Sequence, residues 1–303
     1  MTEFLLAEEE QQTETVKQLS VVILTLDEER NLPACLQSLE GLDAEIFVVD
    51  SGSSDDTVRI AKEAGGHVCH HEFENYAAQR NWSFDNLPIK SPWTLCLDAD
   101  ERLTPELREE ILERISNDEG GPDGYMMKRR TYFLGRWIRY GGQYPAYHLR
   151  LFKSGKGRCE DRLYDQHFLV DGKVASLKND YIDIITADLS SWIDRHNRWA
   201  SLEASEIVAQ KTRDGTANEQ VVAPKLFGTP IQRKRFLRSI VYQNFPLFLR
   251  PFLFWFYGYV LRLGFLDGMP GLIFHTLQRF WFRFLVDAKI YEQRLMDRRE
   301  SSP

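Results

Sequence analysis

The stretch "WTLCLDADERLTPE", Trp93 to Glu106, decides how this chain folds. A short, largely apolar run ends abruptly in Asp98-Ala99-Asp100-Glu101, and a helix-forming segment opens at Thr104-Pro105. Such a run, bounded by turn residues, predicts a buried strand. Pro in the first turn after a Thr cap starts a helix, because the N–H it lacks would have no partner there anyway. The two aspartates stand at i and i+2, so both carboxylates can reach one ion across a tight turn. Paired hard oxygens with few other protein ligands suit Mg2+ or Mn2+ held jointly with substrate phosphates. Without a cation, that density of charge would repel itself and any anionic substrate. The plain alternative is a solvated loop at a strand end.

Working outward, "LSVVIL" (19–24), "EIFVVD" (45–50) and "HVCH" (67–70) read as further strands. "NLPACLQSLEGL", ending near Gly41, and "TVRIAKEAGG", capped by Ser54 or Asp55, read as the helices between them. Strand–helix alternation with short connections predicts an α/β fold, a mostly parallel sheet covered by helices on both faces. Ligands in such sheets sit at the carboxyl ends of the strands, which gathers Asp27, Asp50, Asp98 and Asp100 onto one edge. A lone carboxylate at Asp50 can accept from a base N–H or ribose hydroxyls, or it can cap the helix across the "SGSSD" turn. No GxGxxG follows the first strand and no GxxxxGK[ST] occurs, which argues against dinucleotide and P-loop sites.

After about residue 120 the pattern changes. "GYMMKRRTYFLGRWIRYGG" and "YHLRLFKSGKGRCE" resemble hairpin strands with Gly-rich turns, and residues 190–212 predict a long helix. Residues 1–18 form an acidic lead without the apolar core of a signal peptide, and 213–224 a polar linker. Four dispersed cysteines without CxxC spacing suit a reducing compartment and give no zinc site.

The net charge of −7 conceals an asymmetry: from residue 225 onward there are 13 Lys and Arg against 5 Asp and Glu, with 18 of the 38 aromatic residues. A basic, aromatic tail on an acidic body implies two surfaces with different partners. "PFLFWFYGYVL" (251–261) is short of the ~20 residues that span a bilayer. Arg250 and Arg262 flank it, and Pro246, Pro251 and Gly258 interrupt helical continuity. Residues 274–295 place Leu277, Phe280, Trp281, Phe284 and Leu285 on one helical face, with Arg279, Arg283 and Lys289 elsewhere. This amphipathic pattern suits a helix lying on anionic lipid; packing on the body or in an oligomer is the alternative.

Taken in order, "SVVILTLDEERNLPACLQSL", "EIFVVDSGSSDDT", "AAQRNWSF" and "WTLCLDADERLTPEL" resemble an inverting family 2 glycosyltransferase of the GT-A fold. "HLRLFKSGKGRCEDRLYDQHFLVDGKVASL" and the tail resemble the bacterial subgroup that builds lipopolysaccharide core and exopolysaccharide. The resemblance implies a nucleotide-sugar half at 19–120, an acceptor-side half at 121–212, and a helical tail at 225–303. It implies that Thr25 and Leu26 line the nucleotide pocket, Glu29 lies beside the ribose, Asp50 binds base or ribose, and Arg80 faces the nucleotide or diphosphate. Asp98 would touch the sugar-ribose side and share with Asp100 the Mg2+ or Mn2+, with Asp100 the principal ligand. Asp27 stands where the family usually has Asn, which makes it a weak site candidate. The general base expected in inversion falls to Asp165, in "YDQH" where the subgroup tends to carry His-Glu, with Asp161 and His167 behind it. Arg150 would hold the diphosphate or sit in a surface ion pair. His148, Trp192, His196 and Trp199 would pack or line the acceptor side. The implied reaction is hexosyl transfer from a UDP- or GDP-sugar to a glycolipid or polyprenyl-linked acceptor, peripheral on the inner face of the cytoplasmic membrane, with no nucleic-acid partner and an oligomer compatible. Two rivals stand beside it: a haloacid-dehalogenase-like phosphatase using the DxD pair, and a non-catalytic membrane-associated scaffold.

Overall fold

A computed structural model describes residues 16–162, 165–212, 225–238 and 242–300. The expected linker, Tyr164, and residues 1–15 of the expected lead lie outside the described residues. The first half alternates as the sequence predicts: β1 (Leu19–Thr25), α1 (Leu32–Ser38), β2 (Ala44–Asp50), α2 (Thr57–Glu63), β3 (His67–His70), α3 (Tyr76–Asn86) and β4 (Trp93–Asp98). A short β5 (Glu101–Leu103) then leads into α4 (Pro105–Ser116), whose Thr104 side chain accepts from the Leu107 N–H as an N-cap. The second half contains β6 (Gly124–Phe133), β7 (Arg136–Trp137), β8 (Ala146–Lys153), β9 (Gly157–Cys159), β10 (Phe168–Val170), β11 (Val174–Ile185) and the long α5 (Leu189–Thr212). The tail adds α6 (Pro230–Phe236), α7 (Leu249–Phe256), α8 (Gly268–His275) and α9 (Phe282–Glu300).

One large sheet runs in the order β3-β2-β1-β4-β8-β6-β11-β5, with β7 paired to β6. The first four are parallel, and β8 enters antiparallel to both β4 and β6. Because β11 is parallel to β6, strands β1, β2, β4, β6 and β11 all end on the same edge. The near-continuous apolar runs of β1 and β4 are explained by burial on both faces. Val21, Ile23, Leu95 and Leu97 pack toward α1 and α4. Val22, Phe47, Val49 and Cys96 pack toward α3 on the other face.

The tail is not a detached unit. Ile231 of α6 joins the second core cluster, and Phe282, Val286 and Ile290 of α9 pack against Ala200, Ala204 and Ile207 of α5. The buried side of α9 is therefore Phe282, Val286 and Ile290, none of them on the face expected to lie on lipid, of which Trp281 and Leu285 are half-buried beside this cluster. Of the five residues expected on the lipid-facing side, only Phe284 is exposed.

Candidate active site

The carboxyl edge of the sheet carries three turns: 26–31 after β1, 51–56 after β2, and 98–101 between β4 and β5. The first two are laced together. Asp27, at positive φ, accepts from the Ser54 N–H (2.8 Å) and hydroxyl (3.1 Å), while its own N–H donates to Ser53 Oγ (2.9 Å). The Glu29 N–H donates to Asp55 Oδ2 (3.0 Å), and the Glu29 carboxylate accepts from the Asp56 N–H (3.2 Å). Glu29 and Leu26 are both exposed. The residue of this turn that faces inward is Glu28. It accepts from Asn31 Nδ2 (2.6 Å), and burial pushes its carboxyl up, partly countered by Asn31 and Arg195.

Asp50 is buried and fully engaged. Its carboxylate accepts from Thr25 Oγ1 (3.0 Å), the Gly52 and Ser53 N–H groups (both 2.9 Å), and Ser53 Oγ (2.5 Å). Burial works against the charge, but these bonds overcome it and hold the carboxyl below its usual range. A carboxylate offers about four acceptor positions, and donors of its own turn take those of Asp50, while the N-cap of α2 is Asp56 rather than Asp50.

The "DAD" turn differs residue by residue. Asp98 ends β4 with Arg80 Nη2 of α3 on Oδ1 (2.8 Å) and Arg150 Nη2 of β8 on Oδ2 (3.0 Å). Burial alone would raise its carboxyl; the arginine pair overrides that and holds it well below the usual range. Asp98, expected to touch the sugar-ribose side and to share the metal, is thus engaged by two cations. Arg80 and Arg150 are engaged in turn: the surface ion pair anticipated for Arg150 is a buried one, its side chain only 7% exposed. Arg150 also bonds Glu101, whose carboxylate accepts from the Asp98 N–H (2.9 Å). Burial, with Arg150 opposing and Asp98 and Asp183 adding, leaves the Glu101 carboxyl pushed up to about 7.

Asp100 has no hydrogen bond or ion pair on its carboxylate among the described residues. Burial raises it well above the ordinary range, and the charges of Asp183, Asp98, Glu101 and Glu28 add to this. Asp183, the strongest of these, lies on β11 opposite Glu101, and the next N–H, of Ile184, donates to the Asp100 carbonyl (3.1 Å). Asp183 is absent from the sequence-based candidates: it lies inside the run "YIDII", with Ile184 and Ile185 after it, and no turn marks it as Asp98 is marked. The sequence reading also chose Glu29 over the inward Glu28. No three His, Cys, Asp or Glu side chains among the described residues form a metal cage by themselves. A carboxylate raised by like charges and without a cationic partner nevertheless fits a divalent ion whose remaining ligands are phosphate oxygens and water.

Asp165 stands apart. At positive φ, its carboxylate takes an ion pair from Arg238 beside α6 (2.5 Å). Burial opposes the charge, but Lys234, Arg238, His167 and Arg162 hold the carboxyl far below its usual range. So depressed a carboxylate is a weak proton acceptor, and its ion pair with Arg238 ties this loop to the tail. His167 is tied to Glu160 through its N–H (2.9 Å), with its ring parallel to His148 (6.3 Å). Asp161 is exposed beside them. Trp192 and His196 are buried and stacked together (3.4 Å), His196 bonding Gln278 (3.0 Å), so both pack rather than bind.

A doubly covered parallel sheet, an acidic turn at its carboxyl edge, and a mixed second half in which β8 and β5 run antiparallel to their neighbours define the GT-A fold. The family model "Glycosyl transferase family 2" matches residues 20–183, and the chain belongs to that family. It is 28% identical over 289 residues to the lipopolysaccharide core biosynthesis glycosyltransferase LpsC of Rhizobium meliloti (strain 1021), covering 93% of this chain and 94% of the relative. An uncharacterised glycosyltransferase of Rickettsia typhi is 29% identical, covering 93% and 90%. Among solved structures, residues 1–349 of S. aureus TarS align over 91% of this chain and 92% of that one, at 14% identity and a TM-score of 0.44. Family membership sets aside the phosphatase and scaffold alternatives: this is a glycosyltransferase, with its DxD turn on the fourth strand rather than the first.

Proposed function

We propose that the enzyme transfers a sugar, with inversion, from a uridine or guanosine diphosphate donor to a lipid-linked or lipopolysaccharide-type acceptor at the inner face of the cytoplasmic membrane. The observation that carries this is the place of the Asp100 carboxylate: it has no cationic partner among the described residues, lies among the acids Asp183, Asp98, Glu101 and Glu28, and stands two residues from Asp98 with its two arginines. Asp100 would hold Mg2+ or Mn2+, with Asp98, paired to Arg80 and Arg150, and Asp183, paired to Arg129 (3.5 Å), beside it, and such an ion, when bound, offsets the charge developing on a departing diphosphate. Arg80 and Arg150 keep Asp98 ionised and fix the turn, so that Asp100 is presented to the cleft. Glu28, the inward acid, is suited to accept hydrogen bonds from donor hydroxyls, while the Asp50 and Asp27 turns shape the nucleotide pocket. LpsC, a lipopolysaccharide core enzyme by name and similar over nearly its whole length, supports the acceptor class.

The test is a donor screen of the purified chain with Mn2+ or Mg2+, reading nucleoside diphosphate release across UDP-, GDP- and dTDP-sugars, together with binding of Mn2+ and UDP by calorimetry. Turnover of one donor, with Mn2+ binding lost in Asp100→Asn, is expected. Absence of any donor binding, or an Asp100→Asn variant that binds Mn2+ and turns over like the parent, overturns the proposal.

A further inference from the structure

The tail leaves a broad apolar surface uncovered between α6 and α8. Phe252, Phe256, Leu261, Leu263, Phe265 and Met269 are each between 40% and 66% exposed, and Phe245, Leu249 and Tyr257 extend the patch. Isolated exposed apolar residues are ordinary, but this many within one short stretch of chain mark a contact surface. The backbone presents it deliberately: Phe248 and Leu263 turn at positive φ (66° and 62°), and Gly258 and Gly264 pack so closely on Arg279 and His275 that a Cβ would collide.

Charge identifies what meets this surface. From residue 225 to 266 the sequence has no Asp or Glu. The next acid, Asp267, is buried and accepts from the N–H groups of Arg139 (3.2 Å) and Tyr140 (2.9 Å), in the connection after β7. The same connection places exposed Arg136 and Arg139 beside exposed Arg262: Arg136 Nη2 donates to the Leu266 carbonyl (3.2 Å), and the Gly141 N–H donates to the Arg262 carbonyl (2.9 Å). Aromatic and leucine side chains rimmed by arginines, without acids among them, match the boundary between acyl chains and anionic headgroups. A second copy of the chain fits poorly, since a twofold contact would set the arginine rim against its own image. No helix among the described residues is long and apolar enough to cross a membrane.

We infer that this face, 245–269 together with Arg136 and Arg139, seats the enzyme on an anionic lipid surface. The connection it clamps begins at the carboxyl end of β6, the edge that also carries Asp98 and Asp100, so seating holds the catalytic edge close to the membrane plane. The inference deepens the proposed transfer to a lipid-linked acceptor and rests on that reading for its purpose, though not for its measurement.

Full-length protein is sedimented with vesicles of phosphatidylcholine alone or with phosphatidylglycerol. Binding that requires phosphatidylglycerol is expected, with Phe256→Glu/Leu263→Glu lowering partition by at least about tenfold and Arg136→Ala/Arg139→Ala lowering it about fivefold or more in a salt-dependent way. Nucleoside diphosphate release in detergent is expected to be unchanged in both variants, which separates this surface from the donor chemistry. Should a variant melt early, quenching of parent Trp255 fluorescence by brominated lipid is the second measurement. Failure of the parent to bind phosphatidylglycerol vesicles, undiminished binding by a folded Glu variant, absence of brominated-lipid quenching, or a parent dimer that the Glu variant dissociates would each overturn the inference. Loss of donor turnover with lipid binding intact would overturn the transferase mechanism instead.

Discussion

Two strand ends on one edge of the sheet carry aspartates in opposite circumstances. After β2, Asp50 is surrounded by donors from Thr25, Gly52 and Ser53, and its carboxyl sits below its ordinary range. After β4, Asp100 is surrounded by acids and its carboxyl sits far above. Between these extremes lies Asp98, whose arginines come from α3 and β8. A satisfied carboxylate holds a fold together; an unsatisfied one costs stability and is retained for what it binds. Asp50 ends β2, whereas Asp100 lies in the turn two residues beyond the end of β4, and only the first is satisfied by its own turn.

The comparison is most exposed to substitution at Asp100. Asp100→Asn is expected to reduce transfer by about three orders of magnitude while leaving the thermal midpoint equal or higher, because like-charge repulsion is relieved; a lower midpoint with activity intact would reverse the contrast with Asp50. Arg150→Ala leaves Glu101 buried without its cation and Asp98 with Arg80 alone. A stability loss of about 3–5 kcal/mol is expected in denaturant titration, and a loss below about 1 kcal/mol would show the network to be dispensable. Asp50→Asn removes charged acceptors from the turn, with an expected cost of about 1–3 kcal/mol. Its donor-binding constant, measured in folded protein, is expected to move less than that of Asp100→Asn. Asp165→Asn, at a partly exposed pair, is expected to cost about 1 kcal/mol or less and to preserve most turnover, whereas abolished turnover in a folded variant would restore Asp165 as the base.

The smallest effect is on pH. Glu101 and Asp100 are raised in the folded state, so folding favours their protonated forms, and the stability they contribute is complete below their unfolded values. For Glu101 it declines as pH rises from about 4.5 through about 7. Asp98, depressed, works oppositely, its contribution lost only as pH falls below the ordinary range near 3.8. The metal-free protein is therefore expected to melt at falling temperature as pH rises across the Glu101 window, and Mn2+ with UDP is expected to flatten that slope.

The strand–helix alternation of the first half was legible because a strand buried on both faces must be an apolar run, and each run ends in turn residues. The DxD spacing was legible for the same reason. The choice between Glu28 and Glu29 was not, since a one-residue shift in an irregular turn reverses which side chain faces inward. Nor was Asp183, lying 83 residues after Asp100 in sequence and brought to it only by the pairing of β11 with β5.

The chain by itself determined the family, the parallel half-sheet, the acidic turn and a basic aromatic tail, because these depend on local pattern and composition. Tertiary structure alone decided which carboxylates are satisfied, since the arginines and hydroxyls that satisfy them come from distant segments. It likewise decided that α9 packs on α5 while residues 245–269 stay uncovered. An amphipathic pattern specifies that a face is apolar; only the neighbours available to cover it decide whether that face is core or surface.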